Sequence, residues 1–165
     1  MKTSLTRKPT IVLVDDHLIF RQGLKSLITF ENIGTVIGEA SDGIEFMNLL
    51  TMPPPDLVIM DIDMPNMNGM EAVQRALELY PDMKIIVFSM FGDKEYYIKM
   101  IDLGVKGFIL KSSGITELER AIKDVMSDKS YYSNELPKKT INKFGQKNGT
   151  TNGDEHKPNF HIPWW

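Results

Sequence analysis

No cysteine occurs among the 165 residues, which excludes disulfide bonds and thiolate metal sites from the outset. No uncharged apolar run approaches the roughly 18 residues that a membrane-crossing helix needs. The N-terminus is basic, but no secretory apolar stretch follows it, because the run from Ile11 to Val14 stops at two aspartates. A reducing cytoplasm is therefore the expected location, with no membrane partner. An excess of basic charge is lacking too: 19 Lys and Arg against 22 Asp and Glu leave a net charge of -3. That balance does not fit a domain that binds nucleic acid through bulk charge. What is present is an apolar share of 42%, enough for one ordinary core in a chain of one-domain length.

Short apolar runs alternate with longer amphipathic ones. Strands are expected at Thr10–Val14, Thr35–Ala40, Leu57–Met60, 84–88 and 106–110, from β-branched or continuous apolar residues. Helices are expected at 17–30, 43–50, Gly69–Leu79, 93–103 and 116–126, from apolar residues at helical spacing such as Leu18, Phe20, Leu24, Leu27 and Ile28. Pro53, Pro54 and Pro55 break the chain before the third strand. Gly104 suits a helix C-terminus, and the segment from Ser113 to Glu117 resembles a capping box. Five strands alternating with five helices imply an α/β fold, with a doubly wound parallel sheet covered on both faces.

The end of the chain has another character. Residues 1–130 carry 14 basic and 19 acidic side chains, whereas 131–165 carry 5 and 3, so the sign of the net charge reverses. Residues 145–157 are Gly, Asn, Thr and charge, which read as a linker. The expected organisation is an extension at 1–8, a folded domain at 9–130 and a linker-like tail at 131–165. The apolar pair Trp164 and Trp165 has no motif around it.

In an open parallel sheet, ligands bind beyond the carboxyl ends of the strands. Asp15 and Asp16 follow the first strand, Asp61 and then Asp63 the third, Ser89 the fourth and Lys111 the fifth. Taken singly, each is an ordinary turn residue or surface charge. Taken together, they converge on one pocket. Carboxylates crowded there recruit a cation, and oxygen ligands point to a hard ion such as Mg²⁺. His17, His156 and His161 do not have metal-ligand spacing and are read as non-ligands. A hydroxyl at Ser89 and an ammonium at Lys111 suit phosphoryl oxygens, so the pocket is a candidate acceptor for phosphoryl transfer. Asp61, at the end of the central strand, is the candidate nucleophile.

These residues resemble the response-regulator receiver family of two-component systems. The resemblance is carried by Val12 to His17, Val58 to Gly69 with Met64-Pro65, Ile86 to Ser89, and Gly107 to Lys111, over roughly residues 9–130. It implies a flavodoxin-like five-stranded sheet in the order 2-1-3-4-5. It further implies that Asp61 is the phosphoacceptor and that Asp16 and Asp61 bind Mg²⁺ directly. The backbone carbonyl of Asp63 would be a further ligand, and Asp15 would act through water. Ser89 and Phe108 would be the switch residues, and Lys111 the counter-charge of the phosphoryl group. A sensor histidine kinase would be the partner, and a homodimer could form on phosphorylation. Such a chain is a signalling receiver that processes only its own phosphoryl group.

The segment Asp15-Asp16-His17, with Arg21, Gly23 and Leu24, is similar to the NarL/FixJ subgroup, whose members usually carry a DNA-binding helix-turn-helix. No such pair of helices follows residue 130, so DNA contact is expected only through a further domain. Two other readings stay open. One is a single-domain receiver acting through protein contacts. The other is an aspartate-nucleophile phosphatase, since Asp61-Ile62-Asp63 resembles its D-x-D motif. That motif normally follows the first strand, and Pro65 departs from its pattern.

Overall fold

The computed structural model describes residues 7–50, 53–90 and 92–133. The expected tail from 134 onward, with His156, His161, Trp164 and Trp165, lies outside the described residues. The element order is β1 (Thr10–Val14), α1 (Leu18–Phe30), β2 (Thr35–Ala40), α2 (Gly43–Leu49), β3 (Leu57–Met60), α3 (Gly69–Leu79), β4 (Ile85–Ser89), α4 (Lys94–Leu103), β5 (Gly107–Leu110), α5 (Ile115–Met126) and β6 (Tyr131–Tyr132). All pairings in the sheet are parallel, in the order β2-β1-β3-β4-β5-β6.

The period of two along each strand sorts its side chains between two cores. Val12, Val14, Val58, Met60, Val87 and Phe108 pack on Phe46 of α2, Ala72 and Val73 of α3, and Tyr97 and Met100 of α4. Ile11, Leu13, Ile59, Ile86, Phe88 and Ile109 face the other way, onto Leu24 and Ile28 of α1 and Leu118, Ile122 and Val125 of α5. Both faces are thus covered, which is why the strands read as continuous apolar runs.

Two expectations need correction. The sheet has a sixth strand: Tyr131 and Tyr132 pair with Gly107 and Phe108. Residues 131–133, assigned to the tail, are therefore seated in the fold, and Ser133 is fully buried. The capping box before α5 does not form. Gly114 is the N-cap at φ +84°, with no side-chain cap, after a 3-10 turn at Lys111–Ser113. Glu117 instead accepts a hydrogen bond from the Ser133 hydroxyl at 2.8 Å. Gly104 ends α4 in the left-handed region as anticipated, at φ +104°.

Candidate functional site

The backbone brings the strand ends together before any side chain acts. The Asp15 amide donates to the Ala40 carbonyl at 3.0 Å, and the Asp61 amide to the Val14 carbonyl at 2.8 Å. Both aspartates are therefore held by the ladder just past β1 and β3. Beyond Asp61 the chain turns through a loop tied back by Gly69, whose amide donates to the Ile62 carbonyl at 2.8 Å. The same loop is anchored to α2. Asn66 donates to the Asp42 carboxylate at 2.7 Å, and the Gly43 amide donates to the Met67 carbonyl at 2.9 Å. Asp42 also caps α2 by accepting from the Glu45 amide at 2.8 Å.

Asp61 is 4% exposed and Asp15 5%. One Asp61 oxygen, Oδ1, accepts from the Ile62 amide at 2.8 Å. The other, Oδ2, lies 3.3 Å from the Lys111 ammonium, which also donates to Asp15 Oδ2 at 2.6 Å. The Lys111 side chain is 4% exposed, so this is a buried ion triad rather than a surface pair. Burial pushes the Asp61 carboxyl above the ordinary carboxylate range; the Lys111 ammonium opposes the shift, and the Asp15 carboxylate adds to it. Asp15 Oδ1 accepts from the His17 amide at 2.9 Å, which sets the turn into α1. The Asp15 carbonyl accepts from the Arg21 guanidinium, and Arg21 in turn pairs with Glu39 on β2 at 3.4 Å.

Asp15, Asp16, His17 and Asp61 offer ligand atoms that all lie within 4.8 Å of one another. Three of the four are carboxylates, with Asp16 the more solvent-open, so the set is fit to hold a hard cation. Ser89 is buried as the last residue of β4, opposite Leu110, one residue before Lys111. Asp63 is exposed, and its carboxylate is not among the gathered groups. A separate cavity of about 470 Å³ lies at the opposite end of the sheet, beside Pro54, Asp56, Pro81 and Met126. It gathers no comparable acidic cluster.

The sequence profile of the response regulator receiver domain matches residues 11–123. The chain belongs to that family. The receiver is similar to the transcriptional regulatory protein DegU of Brevibacillus brevis, 33% identical over 91% of this chain and 62% of the relative. It is also similar to the oxygen regulatory protein NreC of Staphylococcus carnosus, 32% identical over 86% of this chain and 68% of that protein. The chain thus spans about two thirds of the length of these curated relatives. Among solved structures, a LuxR-family two-component response regulator from Aurantimonas superposes with a TM-score of 0.73. It is 28% identical, over 86% of this chain and 98% of that one. The receiver domain of the putative response regulator NarL from Mycobacterium tuberculosis gives 0.67 at 28% identity, over 73% and 98%. The receiver is therefore of the NarL type, and among the described residues no helix is long and apolar enough to cross a membrane.

Sequence reasoning assembled Asp15, Asp16, Asp61, Ser89 and Lys111 but missed three neighbours. His17 lacks metal-ligand spacing in the sequence, yet its Nδ1 lies 3.2 Å from Asp15 and 3.1 Å from Asp16. Its position directly after Asp16 was the available signal. Arg21 belongs to the segment that resembles the NarL/FixJ subgroup, but nothing in the sequence showed that it reaches the Asp15 carbonyl. Phe20 has the spacing of an apolar helix residue, but its ring lies under the Lys111 ammonium, 4.3 Å from ring centroid to Nζ. Phe108, expected as a switch residue, is fully buried, with its ring edge-on to Tyr97 at 5.3 Å.

Proposed function

We propose that the receiver takes a phosphoryl group onto Asp61 from a phosphohistidine of a sensor histidine kinase. One observation carries the reading: the buried Asp61 carboxylate ends the central strand 3.3 Å from a buried ammonium, inside an acidic cluster fit for a cation. An Asp61 oxygen attacks phosphorus as the P–N bond of the donor breaks, and the imidazole nitrogen keeps the bonding pair. Oδ2 is the oxygen facing Lys111, while Oδ1 is occupied by the Ile62 amide. Asp16 and Asp61 would hold Mg²⁺ directly, with the Asp63 backbone carbonyl as a further ligand and Asp15 acting through water. The ion supplies neutralisation of phosphoryl charge when bound. Lys111 pairs with the transferred group, and the Ser89 hydroxyl donates to one of its oxygens.

Ser89 and Phe108 form the switch in this reading. Phe108 is buried edge-on to Tyr97, and in this reading phosphorylation shifts the balance between two packings of that ring. Next to the acceptor, the first turn of α1 exposes Leu18 and Ile19, apolar contacts for the kinase or for a second receiver. By analogy with relatives named as regulatory proteins, the output is control of transcription through a DNA-binding domain. No steady turnover of small phosphate esters is expected, and the site of action is the cytoplasm.

Labelling with a small phosphodonor and Mg²⁺ tests the reading. Asp61→Asn should abolish the hydroxylamine-sensitive label, and Asp16→Ala should weaken Mg²⁺ affinity and labelling together. Undiminished label on the Asp61→Asn variant would sink the assignment.

A further inference from the structure

We propose that Phe20 is a positioning residue for Lys111, its ring face fixing the ammonium where it meets an incoming phosphoryl group. The inference rests on the assignment of Asp61 as acceptor. Lysine is a point charge on a flexible four-carbon stem, so its place must be set by what surrounds it. Two carboxylates compete for the Lys111 ammonium, and the nearer is Asp15 at 2.6 Å, not Asp61 at 3.3 Å. Drawn by charge alone, the ammonium would settle on Asp15 and leave the acceptor. The third contact is the Phe20 ring, 4.3 Å from Nζ to the centroid. A desolvated ammonium over a π face is held without the neutralisation that another carboxylate would bring.

The helix supplies this ring by its period. Phe20, Leu24 and Ile28 lie four residues apart on the inward stripe of α1. Leu24 and Ile28 are buried against the sheet, while Phe20, one turn nearer the N-terminus, comes level with the strand ends. The ring is itself braced by Phe88, with centroids 5.7 Å apart and planes tilted by 43°. Phe88 immediately precedes Ser89, so one aromatic contact supports Lys111 and the strand residue next to the phosphoryl-facing hydroxyl.

Beryllofluoride binding with Mg²⁺, measured on the whole chain, reads the placement of Lys111. Phe20→Leu should weaken beryllofluoride affinity by about 5- to 30-fold, the range a desolvated cation–π contact accounts for. Phe20→Tyr keeps the π face and should stay within about 2-fold of the parent. Mg²⁺ affinity measured alone should be unchanged in both. In a Lys111→Ala background, Phe20→Leu should add no further loss, because the pair acts as one unit. If Phe20→Leu lowers the fold's stability too far to measure, Phe20→Met fills the space without a π face and takes its place. Parent-like affinity in the non-aromatic variant, or an equal loss with Lys111 absent, overturns the proposal. If the parent chain itself fails to bind beryllofluoride, or Asp61→Asn binds it equally well, the acceptor assignment fails first and takes this proposal with it.

Discussion

Gly69 and Asp61 meet backbone to backbone: a Cβ on Gly69 would lie 2.0 Å from the Asp61 carbonyl oxygen and 2.9 Å from the Ile62 Cα. This is a shortage of space at the start of α3, and the atoms in the way are main chain, which cannot rotate aside. Gly69→Ala must therefore shift either the acceptor's own peptide or the first turn of α3. Stability should fall by about 1–3 kcal/mol, as overpacking at a close contact costs. Labelling of Asp61 should fall with it. Urea unfolding together with phosphodonor labelling measures both, and a variant that keeps parent stability would mean the loop has slack that its contacts do not suggest.

Asp61 is ionised at a cost in the absence of a cation. Burial raises its carboxyl above the ordinary range, with Lys111 opposing and Asp15 adding. A carboxyl raised in the fold favours the folded state while it is protonated. That stabilisation is present below the ordinary carboxylate range and is lost as pH rises through the raised value. Asp61→Asn removes the penalty, while Lys111 keeps its 2.6 Å partner Asp15. In EDTA near neutral pH the variant should melt higher, by roughly 2–6 °C. The gain should shrink as pH is lowered toward the carboxylate range. Thermal melts across that range decide it, and an equal or lower melting point at neutral pH would contradict the assignment of the penalty.

The strands and the acidic cluster were legible because the signals are local. Val12 to Val14 and Leu57 to Met60 are apolar without interruption because both faces of a parallel sheet are buried, and the acids follow directly at the strand ends. What was not legible depends on partners distant in sequence. Tyr131–Tyr132 is too short to show a period; it becomes a strand because β5 offers an unpaired edge and Tyr132 packs on Tyr97. The lead-in to α5 had the residue types of a capping box, but Gly114 adopts positive φ and Glu117 turns to Ser133. Phe20 has the spacing of a core residue and differs from Leu24 only in being one turn closer to the strand ends.

Ser133 ties the sixth strand to the rest of the receiver. Its amide donates to the Phe108 carbonyl at 2.9 Å, and its hydroxyl donates to Glu117 at 2.8 Å and meets the Ser113 hydroxyl at 3.2 Å. Ser133→Ala leaves the backbone bond but removes the hydroxyl's bond to Glu117, which keeps the Tyr131 hydroxyl at 3.4 Å, so the cost should be about 0.5–1.5 kcal/mol. Amide exchange at Tyr131 and Ser133 should quicken while the β1 and β3 amides keep their protection. Exchange that rises equally across the sheet would instead make β6 part of the global unfolding unit.

Tyr97 sits between Phe108 and Tyr132, ring centroids 5.3 and 6.0 Å away, and its buried hydroxyl has no hydrogen-bond partner among the described residues. An unpaired buried hydroxyl costs about 1–3 kcal/mol of desolvation, so Tyr97→Phe, which keeps the ring and drops the oxygen, should be neutral or stabilising. The same burial, aided by Tyr132, pushes the phenol from its ordinary value of 10.0 up to about 12. A phenol raised in the fold contributes stability that is complete below pH 10.0 and is lost as pH climbs toward about 12. The parent chain should therefore lose stability along an alkaline arm that Tyr97→Phe flattens. Part of that arm should remain, because burial raises Tyr131 and Tyr132 in the same direction. Denaturant titrations between neutral pH and pH 11 measure the difference. A variant less stable than the parent at neutral pH would show that the hydroxyl does find a partner in solution, and an unchanged alkaline slope would show that Tyr97 ionises no later in the fold than in the open chain.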